Sequence, residues 1–370
     1  MASLPPMICL IRPPAVESLR FSSTVVCMPL GLAYVAGSLQ AAGRRFEVVD
    51  AVAEGPTVMT PHYKGYSLGL RLEQIVELIP EDTTVVGLTV IFTHEWPQAV
   101  RLLDLIRAAR PDIRIVLGGE HVTAMPEFSL ATSKADVLVM GEGEETFIEL
   151  LDTLDADGPL DQVDGIGFRD GDAIRINRRR DRRTDVNDIP PPAWDRIDFE
   201  TYSRYGYMGG IDVDAISIPI LATRGCPYQC TFCSAPNMWV PRWIPRDPVQ
   251  VVDEIERYVN DYGARSFPFQ DLTAIIRKDW IVTFCNEILD RKLDITWQFP
   301  SGTRSEAIDD DVAHLLRRTG MVNLAYAPES WSERTRKLIK KRMATDELLS
   351  SIQSAVGADL YVTTFAILGF

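Results

Sequence analysis

The sequence predicts an α/β protein of two domains: a doubly wound parallel sheet, followed by a partial (β/α) barrel that is truncated after about five βα units. Strand-like and helix-like segments alternate along most of the 370 residues, which is the pattern of parallel sheets covered by helices. An arginine-rich and proline-rich stretch interrupts this alternation once. The length also favours two domains, because a domain averages about 150 residues. We therefore expect domains at residues 1–155 and 213–370, joined by a linker at 156–212.

The first domain is predicted from five strands that alternate with helices. The strands are expected at short apolar runs, over residues 7–11, 46–52, 84–92, 114–117 and 137–140. The helices are expected where apolar residues recur at helical spacing, over residues 30–42, 70–78, 96–109 and 146–154. Ligands of a doubly wound sheet bind beyond the carboxyl ends of its strands. No Gly-x-Gly-x-x-Gly motif opens a helix after the first strand, so a dinucleotide site is not supported.

The linker combines a short hairpin at 160–176 with a proline-rich spacer at 188–192. Beyond it, strands are expected over residues 216–223, 266–270, 295–299, 322–327 and 360–368. Helices are expected over residues 248–262, 279–290, 309–318, 333–341 and 346–356. This βα repeat predicts a barrel-type domain with its chemistry at the carboxyl ends of the strands.

The charge balance excludes several classes of partner. Lys and Arg number 38 against 52 Asp and Glu, a net charge of −14, whereas binding to nucleic acid or anionic membranes needs a positive face. No apolar stretch approaches the ~20 residues of a membrane span. The N-terminus lacks the charged and apolar regions of a secretory signal. We therefore predict a cytoplasmic protein that binds neither nucleic acid nor membrane.

Three of the six cysteines, Cys226, Cys230 and Cys233, fall within eight residues, directly after a predicted strand. Thiolates this close together can bind one metal centre, and such soft ligands select zinc, Cu(I) or an iron–sulfur cluster. Structural zinc needs four closed ligands, and the fourth would come from Cys285 or a histidine distant in the sequence. A [4Fe–4S] cluster held by three cysteines instead leaves one iron open. The spacing favours the cluster, and zinc stays the alternative.

The Cys-x3-Cys-x2-Cys spacing, with Phe232 before the last cysteine, resembles the signature of the radical S-adenosylmethionine (SAM) enzymes. The resemblance implies that Cys226, Cys230 and Cys233 bind a [4Fe–4S] cluster and that SAM chelates the fourth iron. It also implies an external electron donor of the flavodoxin or ferredoxin type and reductive cleavage of SAM to a 5′-deoxyadenosyl radical. In this family, residues at the later strand ends hold the nucleotide. The residues that match these positions are Gln270, Asp271, Arg304, Glu329, Ser330 and Gly369, and the main chain at Phe232 is also expected to reach the adenine.

The first domain carries glycine-rich loops after two of its predicted strands, Gly118-Gly119-Glu120 and Gly141-Glu142-Gly143. Together with Arg12-Pro-Pro14, they resemble the Rossmann-like cobalamin-binding domain found ahead of many radical SAM domains. No Asp-x-His-x-x-Gly loop follows the first strand, so the lower face of cobalt is expected to have no histidine ligand, and His121 is expected to line a pocket edge or cap a helix. The residues expected to contact cobalamin are Thr89, Thr93, Gly118, Gly119, Glu120, Gly141, Glu142 and Gly143.

Taken together, the two resemblances imply a cobalamin-dependent radical SAM enzyme, with C-methyl transfer to an unactivated carbon of a small molecule as the expected reaction. An oxidative cyclase that acts on a porphyrin-type substrate without methyl transfer is the alternative within the family. A non-catalytic cobalamin or iron–sulfur protein is a second class, although no DNA-binding module is evident. A methylthiotransferase would need further N-terminal cysteine ligands, a pattern that Cys9 and Cys27 do not form.

Overall fold

The structure is a computed structural model that describes residues 6–18, 26–273 and 275–369. The chain divides into two compact units, one formed by Met1–Arg182 with Ile189–Thr201 and the other by Arg183–Asp188 with Tyr202–Phe370. No helix within the described ranges has both the length and the apolar composition needed to cross a bilayer.

The first unit is built on a seven-stranded sheet and also holds a separate three-stranded one. The strands of the two sheets are β1 (Met7–Arg12), β2 (Ala15–Ser18), β3 (Arg45–Asp50), β4 (Met59–His62), β5 (Gly65–Leu68), β6 (Thr83–Thr89), β7 (Arg114–Gly118), β8 (Val137–Val139), β9 (Ile166–Asp170) and β10 (Ala173–Ile176). Its helices are α1 (Leu30–Ala41), α2 (Ala51–Glu54), α3 (Leu72–Leu78), α4 (Trp96–Ala109), α5 (Glu120–Ala124), α6 (Pro126–Ala131) and α7 (Gly143–Asp155).

The sheet order is β10-β9-β8-β7-β6-β1-β3, and the five strands from β8 to β3 are parallel to one another. Alternate residues of β1 face opposite sides: Cys9 and Ile11 pack in the core that contains α4, and Ile8 and Leu10 pack in the core that contains α1 and α7. Helices therefore cover both faces, and the predicted doubly wound sheet is confirmed. The strand order reverses at β1, between β3 and β6, which is where such a sheet opens a ligand crevice.

The hairpin formed by β9 and β10, expected within the linker, extends this sheet. Strand β9 pairs with β8 in antiparallel register, and its apolar residues Ile166 and Phe168 are buried in the core beside α7. An isolated two-stranded hairpin is only marginally stable in water. The β9–β10 hairpin gains stability because it pairs with β8 and buries these two side chains. Strands β2, β5 and β4 form a separate antiparallel sheet that the sequence analysis does not predict.

The strand predicted over residues 46–52 ends at Asp50, and the chain continues directly into helix α2. The buried Asp50 carboxylate accepts hydrogen bonds from the N–H groups of Val52 and Ala53 at 3.1 and 3.2 Å. This is N-capping, which starts a helix after an extended residue.

The second unit holds a four-stranded parallel sheet and a short two-stranded one. The strands of the two sheets are β11 (Thr223–Arg224), β12 (Ile244–Pro245), β13 (Ser266–Pro268), β14 (Thr296–Thr303), β15 (Met321–Glu329) and β16 (Tyr361–Ala366). Its helices are α8 (Phe199–Arg204, shared with the first unit), α9 (Ala235–Met238), α10 (Pro248–Tyr262), α11 (Lys278–Asp290), α12 (Asp310–Arg318), α13 (Glu333–Leu338) and α14 (Thr345–Gly357). Strands β13 to β16 pair in sequence order, each parallel to the next, as the βα repeat predicts.

Residues 216–223, predicted as the first barrel strand, run beside β13 without forming a regular strand. They make two isolated parallel bridges, Ser217 with Ser266 and Ile220 with Phe269. Pro219 explains the irregularity, because proline has no N–H to donate to the ladder. Bonds such as that from the Ile220 N–H to the Pro268 carbonyl, at 3.0 Å, still fix the segment in place. The segment therefore serves as the fifth parallel member of the predicted partial barrel.

Candidate functional site

The three clustered cysteines lie on one loop that connects β11 to α9. Gly225 begins this loop with a φ of 80°, a left-handed conformation that glycine adopts without strain. The Cys233 N–H donates to the Cys230 carbonyl at 3.2 Å, so the loop turns back on itself. Cys226 is half-buried, Cys230 is buried and Cys233 is exposed.

The segment after α13 fastens the loop from the other side. The Thr231 N–H donates to the Ile339 carbonyl at 3.0 Å, and the Cys230 thiol lies 3.9 Å from the Lys340 carbonyl oxygen. Lys340 has a φ of 55°, which ends the helix predicted over 333–341 early and turns the chain towards the loop. The next residue, Lys341, thereby reaches the cysteines.

The three thiols lie within electrostatic range of one another; Lys341 lies within range of Cys226 and Cys230, and Arg304 within range of Cys230. Burial raises the pKa of Cys226, and the negative charges of Cys230 and Cys233 raise it further. Burial also raises the pKa of Cys230, whereas the charges of Lys341 and Arg304 oppose that rise. Metals bind the thiolate form, so these two cations favour the state that can act as a ligand.

The donor set fits an iron–sulfur cluster better than zinc. Among the described residues, no three His, Cys, Asp or Glu side chains converge on a single ion. The distant ligands that zinc would need lie elsewhere: Cys285 is buried on α11 with its sulfur 3.7 Å from the Thr319 hydroxyl, and His314 is exposed on α12. In a [4Fe–4S] cluster each cysteine binds a different iron, so its ligands are spread around the cluster. Three neighbouring thiols fit that arrangement.

Asp271, predicted near SAM, is 2% exposed and holds the residues that lead into the cysteine loop. Its carboxylate accepts hydrogen bonds from the N–H groups of Ala222 at 3.2 Å and Thr223 at 2.5 Å, and from the Thr223 hydroxyl at 2.6 Å. Burial raises the pKa of Asp271 to about 6, against the opposing effect of these hydrogen bonds. Its neighbour Gln270 is half-buried.

Phe232 and Arg304, two further predicted SAM contacts, differ in exposure. Phe232 is 40% exposed, whereas Arg304 is 6% exposed. The Arg304 guanidinium lies over the ring of Tyr228, 4.1 Å from its centroid, and donates hydrogen bonds to Glu306 and to the Arg342 carbonyl. Arg304 therefore contacts the cysteine loop directly.

Glu329 ends β15 in a conformation that favours glycine, with a φ of 63°. It is buried, its carboxylate lies 3.2 Å from the Lys341 Nζ, and its charge contributes to the raised pKa of the buried loop cysteine. The carbonyl of the following Ser330 accepts a hydrogen bond from the buried Arg336 guanidinium at 2.8 Å. Gly369, after β16, has a φ of 100°. The strained backbone of Glu329 is of the kind that is found at functional sites, because a non-glycine residue rarely adopts such a φ elsewhere.

The first unit has a second candidate site at the carboxyl ends of β6, β7 and β8. Gly119 has a φ of 107°, and a Cβ there would lie 2.4 Å from the Val90 carbonyl oxygen, so only glycine fits. A Cβ on Gly118 would meet nothing within 4 Å, which leaves room for a ligand against the backbone. Thr89 ends β6 half-buried, and Thr93 lies exposed in the turn that follows.

The loop after β8 has a similar character. Gly141 has a φ of 76° and open space where a Cβ would lie, and Gly143 begins α7. Glu142 forms an ion pair with Arg182 at 2.9 Å, and Glu120 is exposed at the start of α5. Both glycine-rich loops therefore lie at the carboxyl edge of the parallel sheet, the edge at which such sheets bind ligands.

His121 is buried behind this edge. Its Nδ1 lies 3.1 Å from the Thr93 hydroxyl, and its ring packs on Trp96 with centroids 4.6 Å apart. Its Nε2 is buried and has no hydrogen-bond partner among the described residues. Burial lowers the pKa of His121, so the imidazole is neutral at pH 7.

Two family models match the chain: the B12 binding domain at residues 18–151 and the Radical SAM superfamily at residues 220–370. The chain belongs to the cobalamin-binding radical SAM family. The family, the fold class and the order of the two domains predicted from the sequence are thereby confirmed. We refer below to the B12-binding unit and the radical SAM unit.

Three relatives illustrate the range of the family. The uncharacterized methyltransferase PH0819 of Pyrococcus horikoshii is 26% identical over 98% of this chain and 74% of its own length. The cytidylyl-2-hydroxyethylphosphonate methyltransferase of Streptomyces wedmorensis is 28% identical over 92% of this chain and 68% of its own length. The anaerobic magnesium-protoporphyrin IX monomethyl ester cyclase of Cereibacter sphaeroides is 30% identical over 92% of this chain and 53% of its own length.

Two solved structures share the fold of both units. OxsB, a cobalamin-dependent SAM radical enzyme, superposes with a TM-score of 0.78 at 18% identity over 98% of this chain. TsrM, a radical SAM methyltransferase from Kitasatospora setae, superposes with a TM-score of 0.77 at 16% identity over 99% of this chain. This chain spans about half of OxsB, 49%, and 70% of TsrM.

The radical SAM unit brings together residues that the sequence analysis does not single out. Lys341 comes within electrostatic range of Cys230 from a distant segment, and only the Lys-Lys-Arg run at 340–342 marks it in the sequence. Tyr228 belongs to the cysteine loop and receives Arg304 by a tertiary contact. The B12-binding unit likewise exposes four large apolar side chains after β6 and β7, which a search for apolar residues just past strand ends would find. They are Ile91, Phe92, Met125 and Phe128, each 40–43% exposed.

Proposed function

We propose that this chain is a cobalamin-dependent radical SAM enzyme that cleaves SAM reductively and transfers a methyl group to an unactivated carbon of a small molecule. In this proposal residues 213–370 hold the [4Fe–4S] cluster and SAM, residues 1–155 hold cobalamin, and residues 156–212 connect them. Three relatives or structural neighbours described above are named methyltransferases, which supports methyl transfer as the reaction.

The observation that carries the proposal is the cysteine loop at the carboxyl end of a parallel sheet. Cys226, Cys230 and Cys233 lie on one loop and within electrostatic range of one another. Three protein ligands leave one iron of a cubane open, and an open metal position is what substrate binding requires.

When bound, the cluster supplies the electron that cleaves SAM, and cobalamin carries the methyl group to be transferred. The chain's own residues prepare these sites. Asp271 fixes the residues that precede the cysteine loop, and Lys341 places a cation beside the thiolates. Open backbone at Gly118 and Gly141 leaves room for a large flat ligand against the B12-binding unit. The exposed apolar side chains that follow β6 and β7 in the chain suit the apolar surface of a corrin.

We further propose an external electron donor of the flavodoxin or ferredoxin type, because reductive cleavage of SAM consumes an electron that the chain must receive. All six cysteines are free thiols, which suits a reducing, cytoplasmic compartment. The predicted lack of nucleic-acid and membrane partners rests on the net charge of −14.

The proposal is tested with the protein reconstituted without oxygen using iron, sulfide and hydroxocobalamin, followed by SAM and dithionite. We expect release of 5′-deoxyadenosine, and none from the variant in which all three loop cysteines are alanine. Absorption spectra before the reaction report whether cluster and corrinoid are both bound. A protein that carries both cofactors and releases no 5′-deoxyadenosine contradicts the proposal.

A second candidate reaction is oxidative ring closure without methyl transfer. The similarity that favours it is the 30% identity to the Cereibacter sphaeroides cyclase over 350 residues. SAM labelled in its methyl group separates the two reactions, because only a methyltransferase passes the label to its product. An unlabelled product with a new ring would establish the cyclase.

A further inference from the structure

Tyr228 lies inside the cysteine loop, between Cys226 and Cys230, and is covered by Arg304 from the end of β14. The guanidinium carbon of Arg304 lies 4.1 Å from the centroid of the Tyr228 ring, well within the range of a cation–π contact. Arg304 is 6% exposed and Tyr228 is half-buried. Such contacts are stronger when water is excluded from them.

The hydrogen bonds of Arg304 hold its guanidinium in this position. Its Nε donates to a Glu306 carboxylate oxygen at 3.2 Å, and its Nη2 donates to Glu306 and to the Arg342 carbonyl oxygen. The fork of the guanidinium thus faces a carboxylate and a backbone carbonyl, while its flat face rests on the tyrosine. A planar, fixed fork of donors is what distinguishes arginine from lysine.

Arg304 consequently joins three segments around the thiols. From its own segment after β14, where Glu306 also binds it, Arg304 contacts the cysteine loop at Tyr228 and the segment after α13 at Arg342. That last segment also accepts the Thr231 N–H at the Ile339 carbonyl. The cysteine loop is therefore held by a backbone hydrogen bond at Thr231 and by the contact between the Arg304 and Tyr228 side chains.

We propose that Arg304 is a positioning residue for the cysteine loop, which acts by clamping the Tyr228 ring, and that a direct contact with SAM is not its main role. This inference rests on the proposed function, because it concerns the loop that holds the cluster. The Nε and Nη2 of Arg304 donate to protein groups, the Glu306 carboxylate and the Arg342 carbonyl.

The test compares four single variants and one double variant of the full chain after reconstitution of the cluster without oxygen. Tyr228→Phe keeps the ring and loses the hydroxyl, which hydrogen-bonds with Arg304, and Tyr228→Leu removes the ring as well. Arg304→Lys keeps the charge and loses the fork, and Arg304→Gln loses both. The first measurement is the rate at which bound iron is lost to an excess of chelator. The second is the Kd for SAM, from its effect on the electron paramagnetic resonance spectrum of the reduced cluster.

We expect Tyr228→Leu and Arg304→Gln to lose iron about tenfold faster than the wild type, because a buried cation–π contact is lost in both. Tyr228→Phe, which keeps the ring and loses only the hydroxyl, and Arg304→Lys should each fall between the wild type and these two variants. A double variant, Tyr228→Leu with Arg304→Gln, should lose iron no faster than either single variant, because both remove the same contact. Thermal unfolding without cofactors shows whether each variant folds.

The opposite pattern overturns the inference. If Arg304→Gln raises the Kd for SAM about tenfold while Tyr228→Leu leaves it unchanged, and neither alters iron loss, Arg304 is a nucleotide contact. If both variants fold and retain iron as the wild type does, the clamp has no role in holding the loop. Failure of the wild type to bind a cluster at all would instead refute the proposed function.

Discussion

Replacing Asp271 by alanine removes the acceptor of three hydrogen bonds just before the cysteine loop. The Thr223 hydroxyl has an alternative acceptor, the Thr273 carbonyl at 3.3 Å, so the two backbone N–H groups of Ala222 and Thr223 lose their partner. A buried donor left without a partner costs about 1–3 kcal/mol, and removal of a buried carboxylate offsets part of this cost. We expect Asp271→Ala to lower the free energy of unfolding by about 3 kcal/mol, and Asp271→Asn, which keeps one acceptor, by less.

The same carboxyl predicts a pH dependence. Burial raises the pKa of Asp271 to about 6 in the folded chain, above its ordinary value in the unfolded chain. The folded state therefore prefers the protonated acid, and the stability that it contributes is present at low pH and is lost as the pH rises through about 6. Asparagine does not titrate, so the deficit of Asp271→Asn relative to the wild type should shrink by about 1 kcal/mol between pH 5 and pH 7.

Both effects are measured by urea denaturation of the chain without cofactors, followed by tryptophan fluorescence. Five of the seven tryptophans lie in the radical SAM unit, so the signal reports mainly on that unit. Asp261→Asn, at an exposed position near the end of α10, is the matched control and should change stability by less than about 0.5 kcal/mol. An Asp271→Ala deficit below about 1 kcal/mol, or an Asp271→Asn deficit independent of pH, would refute this reasoning.

Three further predictions address the cofactor sites. Alanine at any one of the three loop cysteines should abolish bound iron, measured by iron analysis after reconstitution, whereas Cys285→Ala should retain it; iron retained in a loop variant would contradict the ligand assignment. Gly119→Ala should weaken cobalamin binding at least about tenfold in a spectroscopic titration, because its Cβ would lie 2.4 Å from the Val90 carbonyl oxygen and its φ is 107°; unchanged affinity would place the corrin elsewhere. Lys341→Met should destabilise the chain by about 3 kcal/mol in urea, because it leaves Glu329 as a buried unpaired charge. Adding Glu329→Gln should restore part of that loss, and additive losses would argue against the pair.

Local patterns of the sequence predict most elements of both units. The apolar run Met7–Arg12 forms β1, and the helical spacing between Trp96 and Ala109 forms α4. These predictions succeed because burial on a strand or a helix imposes its own period on apolar residues. The prediction over 216–223 is only partly realised, since Pro219 cannot complete the ladder.

Contacts between residues distant in the sequence could not be predicted in this way. Nothing local indicates that the Tyr228 ring receives Arg304, 76 positions later, or that β9 pairs with β8 and extends the sheet. Asp271 shows the same limit within the predicted site: its position after β13 is expected, whereas its complete burial against Ala222 and Thr223 follows from how β13 lies beside the preceding segment.

The sequence by itself determined the alternation of strands and helices, the glycines at the strand ends and the spacing of Cys226, Cys230 and Cys233, because each of these is a property of neighbouring residues. Only the tertiary structure decided which side chains surround those cysteines. Lys341 and Arg304 come to the thiols from separate loops, and packing of the sheet, which no short stretch of sequence encodes, brings those loops to one edge.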